Sequence, residues 1–275
     1  MKIAVSNIAW APAERAEAYA TLRRHGATGL EIAPGLFLDG EPDRFEPSDE
    51  TVARLLGEVT DAGLQLVSMQ SLLFGVQDAA LFGTPEQHGR LMNGLECAIA
   101  LAGRLSIPNL VFGSPLQRIV PDGMSQEDAM AFAADSFRTM ADQAVAQGAV
   151  IAIEPNPSTY GTNFLTDMES AHNFVLQVDH PGVTLNFDIG ALHMTGRFGD
   201  IGTLIERMLP VVSHVHVSEP QLAPAPATRA HADTVLRALR GAGYDRWVSI
   251  EMRNPGEDAI GELDRALERL TGAEG

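Results

Sequence analysis

Four short segments in the second half of the chain each end in a residue type that commonly binds metal ions. They are Val150-Ile-Ala-Ile-Glu154, Val183-Thr-Leu-Asn-Phe-Asp188, Val212-Ser-His-Val-His216 and Trp247-Val-Ser-Ile-Glu251. Each is rich in β-branched or other apolar residues, which is typical of a strand buried on both faces. Because side chains alternate along a strand, one face of each segment is apolar and the other ends in the carboxylate or imidazole. Three carboxylates and one imidazole at four strand ends predict a metal site.

The chemistry of such a site follows from its ligands. Three converging carboxylates repel one another strongly unless a cation or protons compensate their charge. With His216 the set is rich in oxygen and contains one nitrogen, which favours Mn²⁺ or Mg²⁺ and leaves Zn²⁺ or Co²⁺ as alternatives. A divalent ion leaves the three carboxylates slightly anionic overall, which suits a neutral polyol substrate. Each carboxylate taken alone could instead cap a helix or pair with an arginine.

Further polar side chains at strand ends and in loops are candidates for substrate binding. His214 lies two residues before His216 on the same strand face, so it either orients the site from the layer below or acts as a second ligand. Glu31 ends the second strand and could bind a substrate hydroxyl or hold an arginine. Arg118 and Arg253 are the only well-placed basic residues, which favours an unphosphorylated substrate. We predict substrate contacts from Glu31, Gln70, Arg118, Asn156, Tyr160, His193, His214, Glu219 and Arg253.

Strand and helix patterns alternate along the whole chain, and they predict eight strands that are each followed by a helix. The first four strands are predicted at Lys2–Trp10, Gly29–Ala33, Leu64–Met69 and Asn109–Phe112. Helices are predicted at Ala13–His25, from about Ser48 to Gly63, and at Pro85–Leu105, Ser125–Gln147, Asp167–Val178, Ile201–Met208, Thr228–Arg240 and Asp258–Leu270. Eight βα units in 275 residues predict an α/β fold, a single-domain (β/α)₈ barrel. A doubly wound open sheet is the alternative, but its Gly-x-Gly-x-x-Gly fingerprint is absent after the first strand.

Composition limits the class of protein. The chain is 45% hydrophobic and 20% charged, and no linker divides it, so one domain over residues 1–275 is expected. Its apolar runs are far shorter than the roughly 20 residues of a membrane span, and no signal-peptide pattern is visible. Cys97 is the only cysteine, which excludes internal disulfides and favours a cytoplasmic location. A net charge of −17 argues against binding to nucleic acid or anionic membranes. Lys2 is the only lysine, so a Schiff-base mechanism would have to use that residue.

The four segments resemble the xylose-isomerase-like superfamily of sugar isomerases and epimerases. Four short sequence motifs are similar to the metal-binding strands of that superfamily: Ile153-Glu-Pro-Asn156, Phe187-Asp-Ile-Gly190, His214-Val-His-Val-Ser-Glu219 and Ile250-Glu-Met252. The resemblance covers nearly the whole chain in sequential order. It implies a divalent metal held by Glu154, Asp188, His216 and Glu251, with Glu154 and Glu251 also serving as acid and base on opposite sides of the sugar. Relatives often form dimers or tetramers, so the resemblance implies a homo-oligomer.

The chain departs from the ketose 3-epimerases of that superfamily at three positions. Those enzymes have a histidine three residues after the metal aspartate, where this chain has Ala191. They have an arginine six residues after the metal histidine and a glutamate six residues after the first metal glutamate, where Leu222 and Tyr160 stand here. The groups that face the sugar are therefore expected to differ from those of a free-ketose 3-epimerase.

The function predicted from these features is that of a metal-dependent isomerase or epimerase of a sugar or related polyol. A metal that chelates the carbonyl and hydroxyl oxygens stabilises an enediolate, and a glutamate moves the proton. One alternative is a dehydratase or lyase that acts on a cyclic polyol or keto acid with the same groups, and another is a non-catalytic sugar-binding barrel. An apurinic endonuclease is disfavoured, because that branch needs a three-zinc cluster with more histidines, and the charge opposes DNA binding.

Overall fold

Eight parallel strands close into a barrel in the computed structural model, which describes residues 1–272. Each strand pairs with its sequence neighbours, and β1 closes the ring against β8, with Ile3 opposite Val248. The strands are β1 Lys2–Ser6, β2 Gly29–Ile32, β3 Gln65–Met69, β4 Asn109–Phe112, β5 Val150–Ile153, β6 Val183–Asp188, β7 Val212–Ser218 and β8 Trp247–Glu251. This topology confirms the predicted (β/α)₈ barrel.

Helices connect the strands and pack side by side around the barrel. They are α1 Arg15–Arg24, α2 Pro34–Phe37, α3 Asp49–Asp61, α4 Pro85–Leu105, α5 Gln126–Ala146, α6 Met168–Val178, α7 Ile189–Met194, α8 Ile201–Met208, α9 Arg229–Gly241 and α10 Ala259–Thr271. None of the helices within residues 1–272 combines the length and the hydrophobicity that crossing a membrane requires.

Local hydrogen bonds explain where the longer helices begin. The Ser48 hydroxyl accepts a hydrogen bond from the Thr51 amide at 3.1 Å, so Ser48 is the predicted N-cap of α3. A full capping box starts α4, where Thr84 and Gln87 each accept from the backbone amide of the other. Each such cap contributes about 1 kcal/mol by satisfying an amide that the helix leaves free.

The two faces of each strand have different surroundings. Ile151, Phe187, Val215 and Ile250 are fully buried in the apolar layer beneath the helices. The opposite face points into the barrel and is polar. Deeper in the barrel than the metal-ligand candidates, the side chain of Asn109 on β4 accepts a hydrogen bond from Ser213 on β7 and donates one to Ser68 on β3. A further hydrogen bond connects Ser213 with Thr184 on β6. The metal-ligand candidates lie on this inner face.

Several element boundaries differ from the prediction. The first strand stops at Ser6, because a 3₁₀ turn occupies Asn7–Ala9. The strand β7 continues two residues beyond His216. Two short helices, α2 and α7, were not predicted, since four and six residues are too few to show a helical hydrophobic period. The helix α7 matters for the site because it begins directly after Asp188.

Candidate metal centre

Three of the four predicted ligands meet at the C-terminal mouth of the barrel. The Nδ1 atom of His216 lies 2.9 Å from Oε1 of Glu154 and 3.3 Å from Oε2 of Glu251. One candidate ligand atom from each of these residues lies within 4.8 Å of the other two. All three side chains are buried, and His216 has no solvent exposure. The strands β5, β7 and β8 thus bring two carboxylates and one imidazole to a single point.

The donor set fits a divalent cation. The Nε2 atom of His216 lies 2.9 Å from a carboxylate oxygen of Glu31, so Nε2 is the nitrogen that donates a hydrogen bond. A neutral imidazole then has its lone pair on Nδ1, which faces two further carboxylates. Although Nδ1 is buried close to Glu154, the angles do not form a hydrogen bond, and the atom has no partner. Lone pairs that face one another in this way are repulsive unless a proton or a cation lies between them.

Asp188 is held at the edge of this cluster by the start of α7. Its Oδ1 accepts hydrogen bonds from the amides of Gly190, at 2.6 Å, and Ala191, at 3.3 Å, and from the Ser218 hydroxyl. The carboxylate borders the same cavity as the two glutamates. Burial, together with the charges of Glu154 and Glu251, raises the pKa of Asp188 to about 7. The three carboxylates therefore interact electrostatically, which a bound cation would relieve.

The pKa values of Glu251 and His216 are likewise set by burial acting against the charges of neighbouring groups. Burial raises the pKa of Glu251, although the adjacent His216 opposes that rise. Burial alone would lower the pKa of His216, but Glu31 and Glu251 hold it well above its ordinary value. Without a cation, the cluster thus retains protons that a metal ion would displace.

Beneath the ligands, Glu31 contacts both histidines of β7. One carboxylate oxygen lies 2.9 Å from Nε2 of His216 and 3.4 Å from Nε2 of His214, and the other accepts a hydrogen bond from Gln70 at 2.9 Å. Burial works to raise the pKa of Glu31, but the two histidines lower it well below its ordinary value. His214 also pairs with Ser249 at 2.7 Å, and burial is the main cause that lowers its pKa. Glu31 therefore orients His216, and it contacts these histidines rather than an arginine.

A set of amides orients Glu154 from the other side. Asn186 donates to Oε1 at 2.8 Å and Asn156 donates to Oε2 at 3.1 Å. Arg118 is fully buried and donates to the Glu154 carbonyl and to Asn156 Oδ1, both at 2.9 Å. Burial lowers the pKa of Arg118 to about 9, against the opposing effect of Glu154. Arg118 thus fixes the amide that holds the glutamate. Asn186 was not predicted as a site residue, although its place two positions before Asp188 is a usable signal.

A cavity of about 610 Å³ lies above the cluster. Glu154, Asp188 and Glu251 border it, and so do the predicted substrate contacts Gln70, Asn156, Tyr160 and Arg253. Loop residues form a largely apolar part of its wall, which includes Leu73, Phe74, Val76, Leu116 and Leu222. The Tyr160 hydroxyl accepts a hydrogen bond from the Gln221 amide at 3.0 Å, which connects the loops after β5 and β7 across the rim.

A family model described as a xylose isomerase-like TIM barrel matches residues 19–271. The chain belongs to this family. A comparison with proteins of curated function found no match.

Solved structures of the same fold include several carbohydrate-active proteins. A putative xylose isomerase from Rhodospirillum rubrum has a TM-score of 0.80 at 18% identity, with both chains fully covered. A D-allulose 3-epimerase from Methylomonas sp. has a TM-score of 0.78 at 17% identity, with 100% of this chain and 97% of that chain covered. The probable 3-DHS dehydratase of Bacillus anthracis has a TM-score of 0.70 at 17% identity, covering 98% and 99%. At these identities the likeness shows the fold alone.

The other predicted substrate contacts lie away from the central cavity of the barrel. Glu31, Arg118 and His214 are buried below or beside the ligands, where they contact protein groups. His193 and Glu219 lie together on α7 and after β7, and neither is among the described residues that line the cavity. Contact of these five residues with a substrate stays a prediction. Their positions favour a structural role, in which they hold neighbouring residues of the barrel mouth in place.

Proposed function

We propose that the protein is a divalent-metal-dependent isomerase or epimerase that acts on a sugar or related polyol. The observation that carries the proposal is the convergence of Glu154, His216 and Glu251 under an open cavity, in a chain of the xylose isomerase-like family. Asp188 is proposed as the fourth ligand. Mn²⁺ is the ion that we favour for three carboxylates and one imidazole, and Mg²⁺, Co²⁺ and Zn²⁺ are the other candidates.

A bound divalent ion would stabilise negative charge on the substrate oxygens, which makes the hydrogen next to a carbonyl more acidic. Side chains of the protein would then remove that hydrogen as a proton and return it. The two carboxylate oxygens of Glu154 each accept an amide hydrogen bond, whereas none of the hydrogen bonds formed by the described residues uses the Glu251 carboxylate. Glu251 is therefore held less firmly than Glu154, which favours it as the group that takes or gives a proton. Glu154 is the partner proposed for the opposite side of the substrate.

The cavity supports a neutral, unphosphorylated substrate. Arg253 is the one cationic side chain among the described residues that border it, against three buried carboxylates of the cluster. Gln70, Asn156 and Tyr160 offer amide and hydroxyl groups for hydrogen bonds with a polyol. A phosphate group would need more positive charge than this wall supplies.

The test combines metal analysis with hydrogen exchange. Purified protein is loaded with Mn²⁺ and incubated in D₂O with a panel of ketoses and keto-polyols, and deuterium incorporation next to the carbonyl is measured by NMR. We expect exchange with at least one compound, loss of exchange on chelation, and recovery on adding the metal back. Glu154→Gln and Glu251→Gln should lower the rate by about 10²- to 10⁴-fold. Glu268→Gln, an exposed glutamate on α10, serves as the control.

The mass of the product distinguishes the proposed function from the alternative functions. An isomerase or epimerase yields a compound of unchanged mass, whereas a dehydratase yields one that has lost water. A sugar-binding protein binds a compound without exchanging its hydrogen. Full turnover by Glu154→Gln or Glu251→Gln would contradict the proposed roles of those glutamates.

A further inference from the structure

A second group of potential metal ligands lies outside the cavity, on the β6 and β7 side of the barrel. It consists of His193 on α7, Glu219 directly after β7, and His231 in the first turn of α9. One atom from each side chain lies within 4.8 Å of the other two. These residues are not among the described residues that line the cavity, and none of them contacts the first cluster through a hydrogen bond or ion pair of the described chain.

The distance between His193 and Glu219 suits shared coordination better than direct hydrogen bonding. Nε2 of His193 lies 3.7 Å from Oε2 of Glu219, which is too long for a hydrogen bond. The His193 Nε2 atom is buried without a partner. Ligands about 2.0–2.2 Å from one tetrahedral ion lie roughly 3.3–3.6 Å apart. The observed separation is close to that value, so an ion between the two atoms would satisfy both.

The third residue completes the arrangement. Nδ1 of His231 lies 3.0 Å from Oε1 of Glu219, which also accepts a hydrogen bond from the Ala227 amide at 2.8 Å. The ring of Phe198 stacks on His193 at 4.0 Å and lies 5.1 Å from the ring of His231. An apolar ring beside both imidazoles restricts their rotation, as the surroundings of a metal ligand commonly do. Glu219 itself is 7% exposed, so its charge is poorly solvated.

We infer that His193, Glu219 and His231 bind a zinc ion that is distinct from the metal of the proposed active site. Two imidazoles and one carboxylate form a donor set that Zn²⁺ prefers, with a fourth position left for water. The first cluster, with three carboxylates and one imidazole, prefers a harder ion. The chain therefore has two sites of different metal preference, and this inference stands whether or not the proposed function is correct.

The position of the site indicates what the ion does. It joins α7, the segment after β7 and the start of α9, which come together only in the folded chain. The helix α7 begins directly after Asp188, and the strand β7 contains His216. A zinc ion here would hold together the elements that position two of the proposed ligands at the cavity.

The test uses metal stoichiometry and spectroscopy on the full chain. The protein is stripped with a chelator and titrated with Zn²⁺ alone by calorimetry, and bound zinc is counted by mass spectrometry. We expect the unmodified protein to bind one more Zn²⁺ ion than His231→Asn, because this substitution lowers the affinity of the His193, Glu219 and His231 site by roughly 100-fold or more. Because an asparagine amide can still donate to Glu219, this substitution preserves a purely structural hydrogen bond while it removes the ligand. The control is His25→Ala, which removes a histidine near the N-terminal ends of the strands.

A second measurement reports the coordination geometry of the bound ion directly. Co²⁺ in a tetrahedral site absorbs visible light strongly, whereas six-coordinate Co²⁺ absorbs weakly. The titration should therefore show an intense band that His231→Asn lacks, and Zn²⁺ should raise the Tm of the unmodified protein more than that of the variant. An unmodified protein that binds no more Zn²⁺ than His231→Asn and gives the same Co²⁺ spectrum as that variant would overturn the inference. Absence of hydrogen exchange in the unmodified, metal-loaded protein, with the zinc site that depends on His231 still present, would count against the proposed function and leave this inference intact.

Discussion

Replacing Glu31 with glutamine tests how the chain prepares His216 to bind a metal. In the native protein one carboxylate oxygen accepts from Gln70 and the other faces His216 Nε2 at 2.9 Å. The glutamine amide has one oxygen and one NH₂ group, so it satisfies only one of these partners. If NH₂ faces His216, it turns Nε2 into an acceptor and moves the imidazole proton to Nδ1. A protonated Nδ1 cannot bind a metal.

The size of the effect follows from burial. Glu31 and His216 are both 0% exposed, so the lost interaction is a charge-assisted hydrogen bond that water does not replace. Such bonds contribute about 1.5–3 kcal/mol, and breaking a buried pair costs about 3–5 kcal/mol. We therefore expect the free energy of unfolding of Glu31→Gln to fall by about 2–4 kcal/mol. Its affinity for the divalent ion should fall by about 10- to 100-fold, as for other groups that orient a ligand.

Urea unfolding measures the first quantity, and titration of the metal-free protein with Mn²⁺ measures the second. Glu31→Asp keeps the negative charge and should recover part of the metal affinity, although its shorter side chain packs less well. Glu268→Gln controls for the loss of a carboxylate on the surface. Native metal affinity in a folded Glu31→Gln protein would refute the tautomer argument, because that protein could no longer hold the Nε2 proton as proposed.

Two further predictions concern the carboxylate cluster. In the metal-free protein, Asp188 and Glu251 both have folded-state pKa values above their unfolded values. The stability that Asp188 contributes is therefore present below about pH 4 and is lost as pH rises through its folded-state pKa of about 7, and Glu251 acts in the same direction. Denaturant unfolding should show a loss on the order of a few kcal/mol over that interval, and saturating Mn²⁺ should abolish it; a flat metal-free profile would contradict the repulsion. Gly113→Ala would place a Cβ atom 2.7 Å from Oε2 of Glu154, so Mn²⁺ titration should show an affinity about tenfold lower or more, as for other changes beside a ligand. The control is Gly57→Ala in α3, where the added Cβ atom meets no atom within 4 Å. This variant should raise the free energy of unfolding by about 0.5–1 kcal/mol and leave the metal affinity unchanged. Equal metal affinities of Gly113→Ala and Gly57→Ala would refute the steric argument.

The sequence predicts the central cluster well because the fold dictates its geometry. A parallel barrel brings the C-terminal ends of all strands to one mouth, and the alternation of side chains decides which residues face inward. Those two rules place Glu154, His216 and Glu251 together without any knowledge of the loops. The register confirms the pairing, since His216 lies opposite Asp188 on one side and Ser249 on the other.

Contacts between distant strands and short helices are harder to predict. Glu31 and His216 are 185 residues apart, and their contact depends on the relative heights of β2 and β7 in the barrel, which alternation does not specify. The sequence therefore left an arginine partner open for Glu31. Asp188 was predicted as a ligand, but its second role as the cap of α7 depends on a helix of six residues. The group of His193, Glu219 and His231 likewise forms only because α7 and α9 meet beside β7.

The difference between strands and loops also explains why the reaction type is easier to infer than the substrate. The proposed ligands lie at strand ends, whose positions the barrel hydrogen bonds determine. The groups that would contact a substrate lie on loops, and four non-glycine residues at the cavity, Ser71, Asp78, Ser114 and Leu222, adopt positive φ angles between 45° and 57°. Such conformations are costly for these residue types and persist only where surrounding contacts impose them. Under the proposed function, loop shape, which sequence periodicity does not encode, therefore decides which substrate the cavity accepts. A screen of substrates against the intact cavity addresses that choice directly, and exchange with a phosphorylated sugar in preference to its free form would contradict the charge argument from Arg253.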